Sequence, residues 1–367
     1  MNVTLTRSVA ICRRSVTIQK GIAAIIALAI CAVAFSQERK KSGEASFDMP
    51  SYLAALSAEG KERGYKEFVY KETPQGELRI YFKTPVDWSP RDKRPVLIFF
   101  FGGGWSGGKV FACVKEAEHF AQRGVVVGLA DYRVRNRQGV RLDKCAEDAR
   151  SAIRWVRANC QTLGVDPQRV IAGGGSAGGH IAACTAIADA PNSDTDDLKV
   201  SCIPNALLLY YPVASLVDDS RANAFTRLLG EDLARKLSPA RNVTKSWPPT
   251  VMFSGTADIE LANGVLLHNQ AKESGVTFEL YMAEGRGHGV ATAGPRDFGW
   301  LLYGSDFFRR VGVMDLGMPE ALPGDLRKYN GEPVADISVK PDSSKLGRKR
   351  GSVNKANPAP PQPSESP

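Results

Sequence analysis

Arg169-Val170-Ile171-Ala172-Gly173-Gly174-Gly175-Ser176-Ala177-Gly178-Gly179-His180 is the stretch from which the rest of the chain is read. It runs from a short apolar strand through a glycine-packed corner into an Ala-rich helix. Gly174 to Gly178 spells G-x-S-x-G with Ser176 at its centre. A serine on such a strand-to-helix turn sits in a strained backbone conformation with its hydroxyl pushed outward. Gly174 and Gly178 lack the Cβ atoms that would collide at so tight a corner. The helix that follows turns its free N–H groups and positive dipole end to the same point. Such a place suits an alkoxide nucleophile and the oxyanion that its attack produces. The same five residues can also be a βα turn that only lets strand and helix pack closely, so the remaining residues must decide.

The bulk composition is that of a globular protein, with 43% hydrophobic and 24% charged residues among 367. That length holds one large α/β domain or two ordinary ones. The net charge of +9 invites a nucleic-acid reading, but its distribution argues against one. Residues 1–36 and residues 340–367 carry +4 each, leaving +1 for everything between. The basic character belongs to the two ends, and no nucleic-acid partner is expected.

Arg13, Arg14 and Lys20 precede the apolar run Gly21 to Phe35, which has 15 residues, and Ala32-x-Ala34 offers small residues for cleavage. Residues 1–36 therefore read as a signal peptide, or else as an uncleaved N-terminal anchor through residues 21–35. Either way the domain is expected on the far side of a membrane, periplasmic or secreted. Five cysteines lie beyond this leader, Cys113, Cys145, Cys160, Cys184 and Cys202. They read as buried thiols, with one disulfide open in an oxidising compartment. No Cys/His cluster has zinc-ligand spacing.

Residues 37–65 are a polar, partly helical lead-in. Lys66–Tyr70 and Glu77–Phe82 alternate as a hairpin would. Pro95–Phe101 and Val125–Ala130 are continuous apolar runs that suit strands covered on both faces. Further strands are expected at 205–211, 250–254 and 276–281, with helices near 110–122, 142–160, 259–273 and 297–311. Alternating strands and helices make a mostly parallel sheet with helices on both faces. The domain spans 66–311. Its segment 214–249, with a helix predicted at 222–237, is a small lid-like insertion. Residues 312–339 are an irregular extension, and the Pro/Ser/Lys-rich stretch 340–367 is expected to be disordered.

A serine hydroxyl needs a base near neutral pH, and a neutral imidazole serves. The chain has four histidines. His119 and His268 fall inside predicted helices, and His180 lies one turn past Ser176, facing away from its hydroxyl. His288 lies in Glu284-Gly-Arg-Gly-His-Gly289, a loop after the last predicted strand, at the edge where open α/β sheets bind ligands. Asp258, in Ser254-Gly-Thr-Ala-Asp258, follows a strand on that same edge and can orient the imidazole. Glu260 is the alternative acid, and Asp258 could instead cap the following helix. Ala177, Gly103 and Gly104 can supply oxyanion N–H groups. Trp105 lines the pocket mouth or belongs to the core, and Gly175 is placed in the substrate pocket.

Phe101-Gly-Gly-Gly-Trp105, Gly-Gly-Ser176-Ala-Gly-Gly, Gly-Thr-Ala-Asp258 and Gly-His288-Gly resemble the α/β-hydrolase superfamily. Arg154-Trp-Val-Arg157 and Leu163-Gly-Val-Asp-Pro167 bring the likeness closer to acetyl esterase/lipase proteins of the hormone-sensitive-lipase-like group. The resemblance implies an α/β-hydrolase fold with a small lid and a serine carboxylesterase using Ser176, Asp258 and His288. It also implies short, acetyl-sized acyl groups on a small-molecule or carbohydrate ester, with no metal or organic cofactor required. The family's loop usually begins with a histidine that braces it. Phe101 stands there instead, so the loop's glycine donors should be held less firmly. A prolyl-type peptidase and a non-catalytic hydrolase-fold binding protein are the alternatives.

Overall fold

Val96-Leu97-Ile98-Phe99-Phe100 is apolar at every position because both faces of its strand are covered, and all five side chains are buried. In the computed structural model, residues 47–218, 221–289, 298–315, 322, 324 and 326–332 are described. The expected leader at 1–36, the start of the lead-in and the tail at 340–367 lie outside the described residues.

The strands are β1 (Lys66–Thr73), β2 (Gly76–Lys83), β3 (Arg94–Phe100), β4 (Val126–Ala130), β5 (Val165–Gly175), β6 (Ala206–Tyr210), β7 (Thr250–Gly255), β8 (Phe278–Ala283) and β9 (Arg327–Lys328). They form one sheet in the order β1-β2-β4-β3-β5-β6-β7-β8-β9. The run β4-β3-β5-β6-β7-β8 is parallel, while β1, β2 and β9 join antiparallel at the two ends. The helices are α1 (Met49–Glu62), α2 (Val114–Ala121), α3 (Leu142–Ala158), α4 (Ala177–Cys184), α5 (Ala222–Leu229), α6 (Glu231–Lys236), α7 (Leu261–Glu273) and α8 (Phe298–Arg310), besides one-turn pieces. On one face α2 and α8 are joined by a hydrogen bond between His119 Nε2 and Ser305 Oγ at 3.3 Å. The opposite face carries α3, α4 and α7.

From β3 the chain moves to β4 on one side, then returns to β5 on the other. The loops leaving β3 and β5 therefore diverge, and open α/β sheets form their ligand crevice at such a switch point. Register aligns the rim. Phe100 lies opposite Gly174, Gly175 opposite Tyr210, Tyr210 opposite Phe253, and Phe253 opposite Tyr281. The next residues along β3, β5 and β6, Phe101, Ser176 and Tyr211, leave the sheet at one edge.

Two elements differ from the sequence reading. The helix predicted at 222–237 is two helices, because Gly230 interrupts it at φ 85° and leaves α5 and α6 on either side. The extension at 312–339 is not wholly irregular, since β9 pairs with β8 and Lys328 meets the buried Glu279 at 2.5 Å. A two-residue strand has no periodicity to read. Arg310 of α8 also binds Glu279, at 2.7 Å, so one carboxylate ties strand, helix and extension together. Cys113, Cys145, Cys160, Cys184 and Cys202 are free thiols.

Candidate active site

Ser176 has φ 54° and ψ −123°, a conformation costly to a residue with a side chain. Its neighbours hold it there. Ser176 N–H donates to Tyr210 C=O at 2.9 Å, and Ser176 C=O accepts from His180 N–H at 2.9 Å. A Cβ on Gly178 would come within 2.5 Å of Phe101 O and 2.7 Å of Phe100 C, and one on Gly174 within 2.7 Å of Gly178 C. Bare glycines let α4 start directly against the end of β3.

The chain of hydrogen bonds from Ser176 is short. His288 Nε2 lies 2.9 Å from Ser176 Oγ, and His288 Nδ1 lies 3.0 Å from Asp258 Oδ1. The Asp258 side chain is fully buried, while that of His288 is about one-third exposed, at 35%. Asp258 also accepts from Glu260 N–H at 2.9 Å and from Ser254 O–H at 3.3 Å. With Nδ1–H donated to Asp258, the ring presents the lone pair of Nε2 to the serine hydroxyl. The hydrogen bond to Asp258 raises the His288 pKa above its ordinary value against the opposing effect of burial, with the charge of Asp258 and then Glu260 adding to the rise and Arg221 opposing it.

The acid and base loops are stitched to one another. Gly285 N–H donates to Thr256 Oγ1 at 2.8 Å, Ala257 N–H to Arg286 C=O at 2.9 Å, and Thr256 N–H to Ala283 C=O at 3.0 Å. A Cβ on Gly255 would overlap the Arg286 carbonyl, so that close approach needs glycine. Glu260, the alternative acid, is buried and paired with Arg221 at 2.5 Å; the carboxylate bonded to His288 Nδ1 is that of Asp258.

The other histidines have other surroundings. His119 is buried against Phe120 and Ser305, and burial pushes its pKa down to about 4. His268 packs edge-on against Phe278 and Tyr329. His180 is fully buried between Trp105 and Leu237.

The glycine loop after β3 crosses directly beside the serine. A Cβ on Gly102 would come within 3.0 Å of Gly175 O and 3.5 Å of the Ser176 Cβ. Gly103 and Gly104 have φ 141° and 60°. Among the described residues, the N–H groups of Gly103, Gly104 and Ala177 have no hydrogen-bond partner, which leaves them available to an oxyanion. The loop that Phe101 begins has braces of its own, which the sequence reading did not foresee. The Phe101 ring stacks on Tyr132 with centroids 4.1 Å apart, and Tyr132 O–H donates to Phe101 C=O at 2.6 Å. Arg135 N–H and Asn136 N–H then bond Trp105 C=O and Ser106 C=O, each at 3.0 Å. The bracing comes from the chain beyond β4.

Trp105, expected at the mouth or in the core, is buried beneath the loop, with Phe225 of α5 set edge-on 5.7 Å from it. Gly175 faces Tyr211, whose hydroxyl would stand 3.0 Å from a Cβ there. Sequence reasoning missed Tyr211. Its φ is 37°, and its ring meets His288 edge-on at 4.9 Å. Only its place directly after the apolar run Ala206–Tyr210 marked it as a rim residue.

The sequence model of the BD-FAE family matches residues 85–270. A probable isoprenylcysteine alpha-carbonyl methylesterase of Oryza sativa subsp. japonica is 28% identical over 245 residues, covering 61% of this chain and 56% of that protein. The chain spans about half the length of the curated relatives it matches first. Among solved structures, esterase 2 of Thermogutta terrifontis is 36% identical with a TM-score of 0.65, covering 69% of this chain and 97% of that one. The same esterase with propionate bound is 35% identical with a TM-score of 0.66, covering 70% of this chain and 97% of that one.

Proposed function

Because this chain belongs to the BD-FAE family within the α/β-hydrolase superfamily, we propose that it is a serine carboxylesterase. The observation that carries this reading is the unbroken run of hydrogen bonds from Ser176 Oγ through the His288 ring to the buried Asp258 carboxylate. In the proposed reaction, Ser176 Oγ attacks the ester carbonyl while His288 Nε2 takes its proton. The N–H groups of Gly103, Gly104 and Ala177 stabilise the oxyanion. His288 returns the proton to the departing alcohol, leaving an acyl-enzyme. Water then attacks that ester with the same imidazole as base, and the carboxylic acid leaves. Asp258 holds the ring in the tautomer that this sequence requires.

Short acyl groups, acetyl among them, are part of the proposal, as is a small-molecule or carbohydrate ester as substrate. Their support is the sequence likeness to acetyl esterases and the propionate-bound structure of a similar esterase. Export is proposed on the basic and apolar leader alone.

A panel of p-nitrophenyl acetate, butyrate and octanoate beside aminoacyl anilides tests the activity. Turnover falling with acyl length supports the reading, and anilide turnover without ester turnover replaces it by a peptidase. A fluorophosphonate should label Ser176, identified by peptide mass. Folded protein that neither labels nor turns over would be a binding protein instead. Cell fractionation with N-terminal sequencing tests export, and a cytoplasmic chain that keeps residues 1–36 removes it.

A further inference from the structure

His180 touches neither Ser176 Oγ nor His288, yet it joins three parts of the site. It stands one helical turn after the serine on α4. Its Nδ1 accepts from the Trp105 indole N–H at 3.2 Å, and its Nε2 lies 2.7 Å from the Leu237 carbonyl. Trp105 ends the glycine loop, and Leu237 ends α6 of the inserted segment. The two contacts fix one tautomer, since an indole donates only and a carbonyl accepts only. Nε2 therefore carries the proton and Nδ1 carries the lone pair.

Trp105 needs such an anchor. Its φ is 57°, the third positive value in a row after Gly103 and Gly104. Glycine adopts that region freely, whereas a tryptophan persists there only where its surroundings overdetermine it. The anchors here are the Arg135 N–H on its carbonyl, the edge-on rings of His180 at 5.2 Å and Phe225 at 5.7 Å, and the indole hydrogen bond. The indole bond and the His180 ring contact tie this loop to α4, the helix that starts directly after the nucleophile.

We propose that His180 is a positioning residue, which through the Trp105 indole holds the Gly103-Gly104 donors in register with Ser176. This rests on the esterase reading above. Burial pushes the His180 pKa down to about 4, so the acceptor at Nδ1 persists across the range in which His288 works as a base. A single imidazole thus keeps attacking group and oxyanion donors in fixed relation, and donor placement matters steeply to rate.

Trp105→Phe keeps an aromatic ring at this position while deleting the N–H and part of the bicycle, and the pair of His180 variants separates the hydrogen bond from the lost bulk. Trp105→Phe should lower kcat about 10–100-fold with KM within about twofold. Affinity for a trifluoromethyl ketone, which forms an oxyanion on the serine, should fall by about the same factor. Deuterium exchange should rise in residues 101–108 but not in 169–175. His180→Asn keeps an acceptor near the place of Nδ1 and should retain more activity than His180→Leu, which keeps none.

Wild-type kcat and wild-type exchange in Trp105→Phe would overturn the proposal. So would a kcat loss with unchanged inhibitor affinity, or equal impairment of the two His180 variants. Should His180→Leu not fold, Trp105→Phe decides alone. The exchange readout needs no turnover, so a wild type that hydrolyses no ester defeats the esterase reading and leaves the anchor to be judged by exchange.

Discussion

At the scale of single residues, the roles proposed for the triad differ in what their loss should do. Ser176→Ala removes the atom that would form the acyl bond, and kcat should fall by on the order of 10⁶ with an unchanged circular dichroism spectrum. Retained turnover would exclude Ser176 from the mechanism. Asp258→Asn leaves the shape but removes the charge and the tautomer control, and kcat should fall by about 10⁴. Its pH profile carries more information. His288 must be neutral to accept the proton, so activity is lost as pH falls through its pKa. The hydrogen bond to Asp258 raises that pKa, and the carboxylate charge adds to the rise. Removing the charge must therefore shift the acid limb of kcat/KM to lower pH. A shift to higher pH, or none, would show that Asp258 does not set the charge state of this ring.

The elbow is a property of elements, because its strain is held by β3 as much as by β5 and α4. Gly178 lies where a side chain would overlap the carbonyls of Phe100 and Phe101. Gly178→Ala must push α4 away from β3, and this moves Ser176 relative to the glycine loop. We expect a stability loss of about 1–3 kcal/mol by urea titration, with turnover reduced far beyond what the unfolded fraction explains. Wild-type kcat in this variant would mean that the elbow tolerates a wider spacing than its contacts indicate. Element scale also explains how the acid and base loops meet. β7 and β8 are parallel and in register through Gly255 and Ala283, so the loops leaving them start side by side.

For the whole molecule, a buried ionic cluster ties the antiparallel end of the sheet to its parallel centre. Asp148 of α3 is fully buried and bonds Lys71 of β1 at 2.7 Å and Arg133, just past β4, at 2.8 Å. Arg133 precedes the residues that hold the glycine loop from outside. Asp148→Ala would leave two cations buried without their shared partner, and should cost about 3–5 kcal/mol in urea-induced unfolding. A loss under about 1 kcal/mol would mean that water reaches the cluster. Charge is also distributed at this scale. With +4 at each end and +1 between, the net positive charge is carried by the two ends of the chain.

By itself the sequence determined whatever depends on near neighbours along the chain. Apolar runs with no polar side announce strands buried on both faces, and glycine spacing around Ser176 announces a corner that other residues cannot turn. Elimination among four histidines pointed to His288 because loop and helix composition are local properties. Tertiary structure alone decided which carboxylate bonds the imidazole, that Tyr211 lies against it, that Tyr132 braces a loop begun by Phe101, and that His180 reaches Trp105. Those contacts join residues 30 to 77 positions apart, and sheet register and strand order bring them together. A strand's periodicity says which face a side chain takes, but only its pairing partner says what stands opposite.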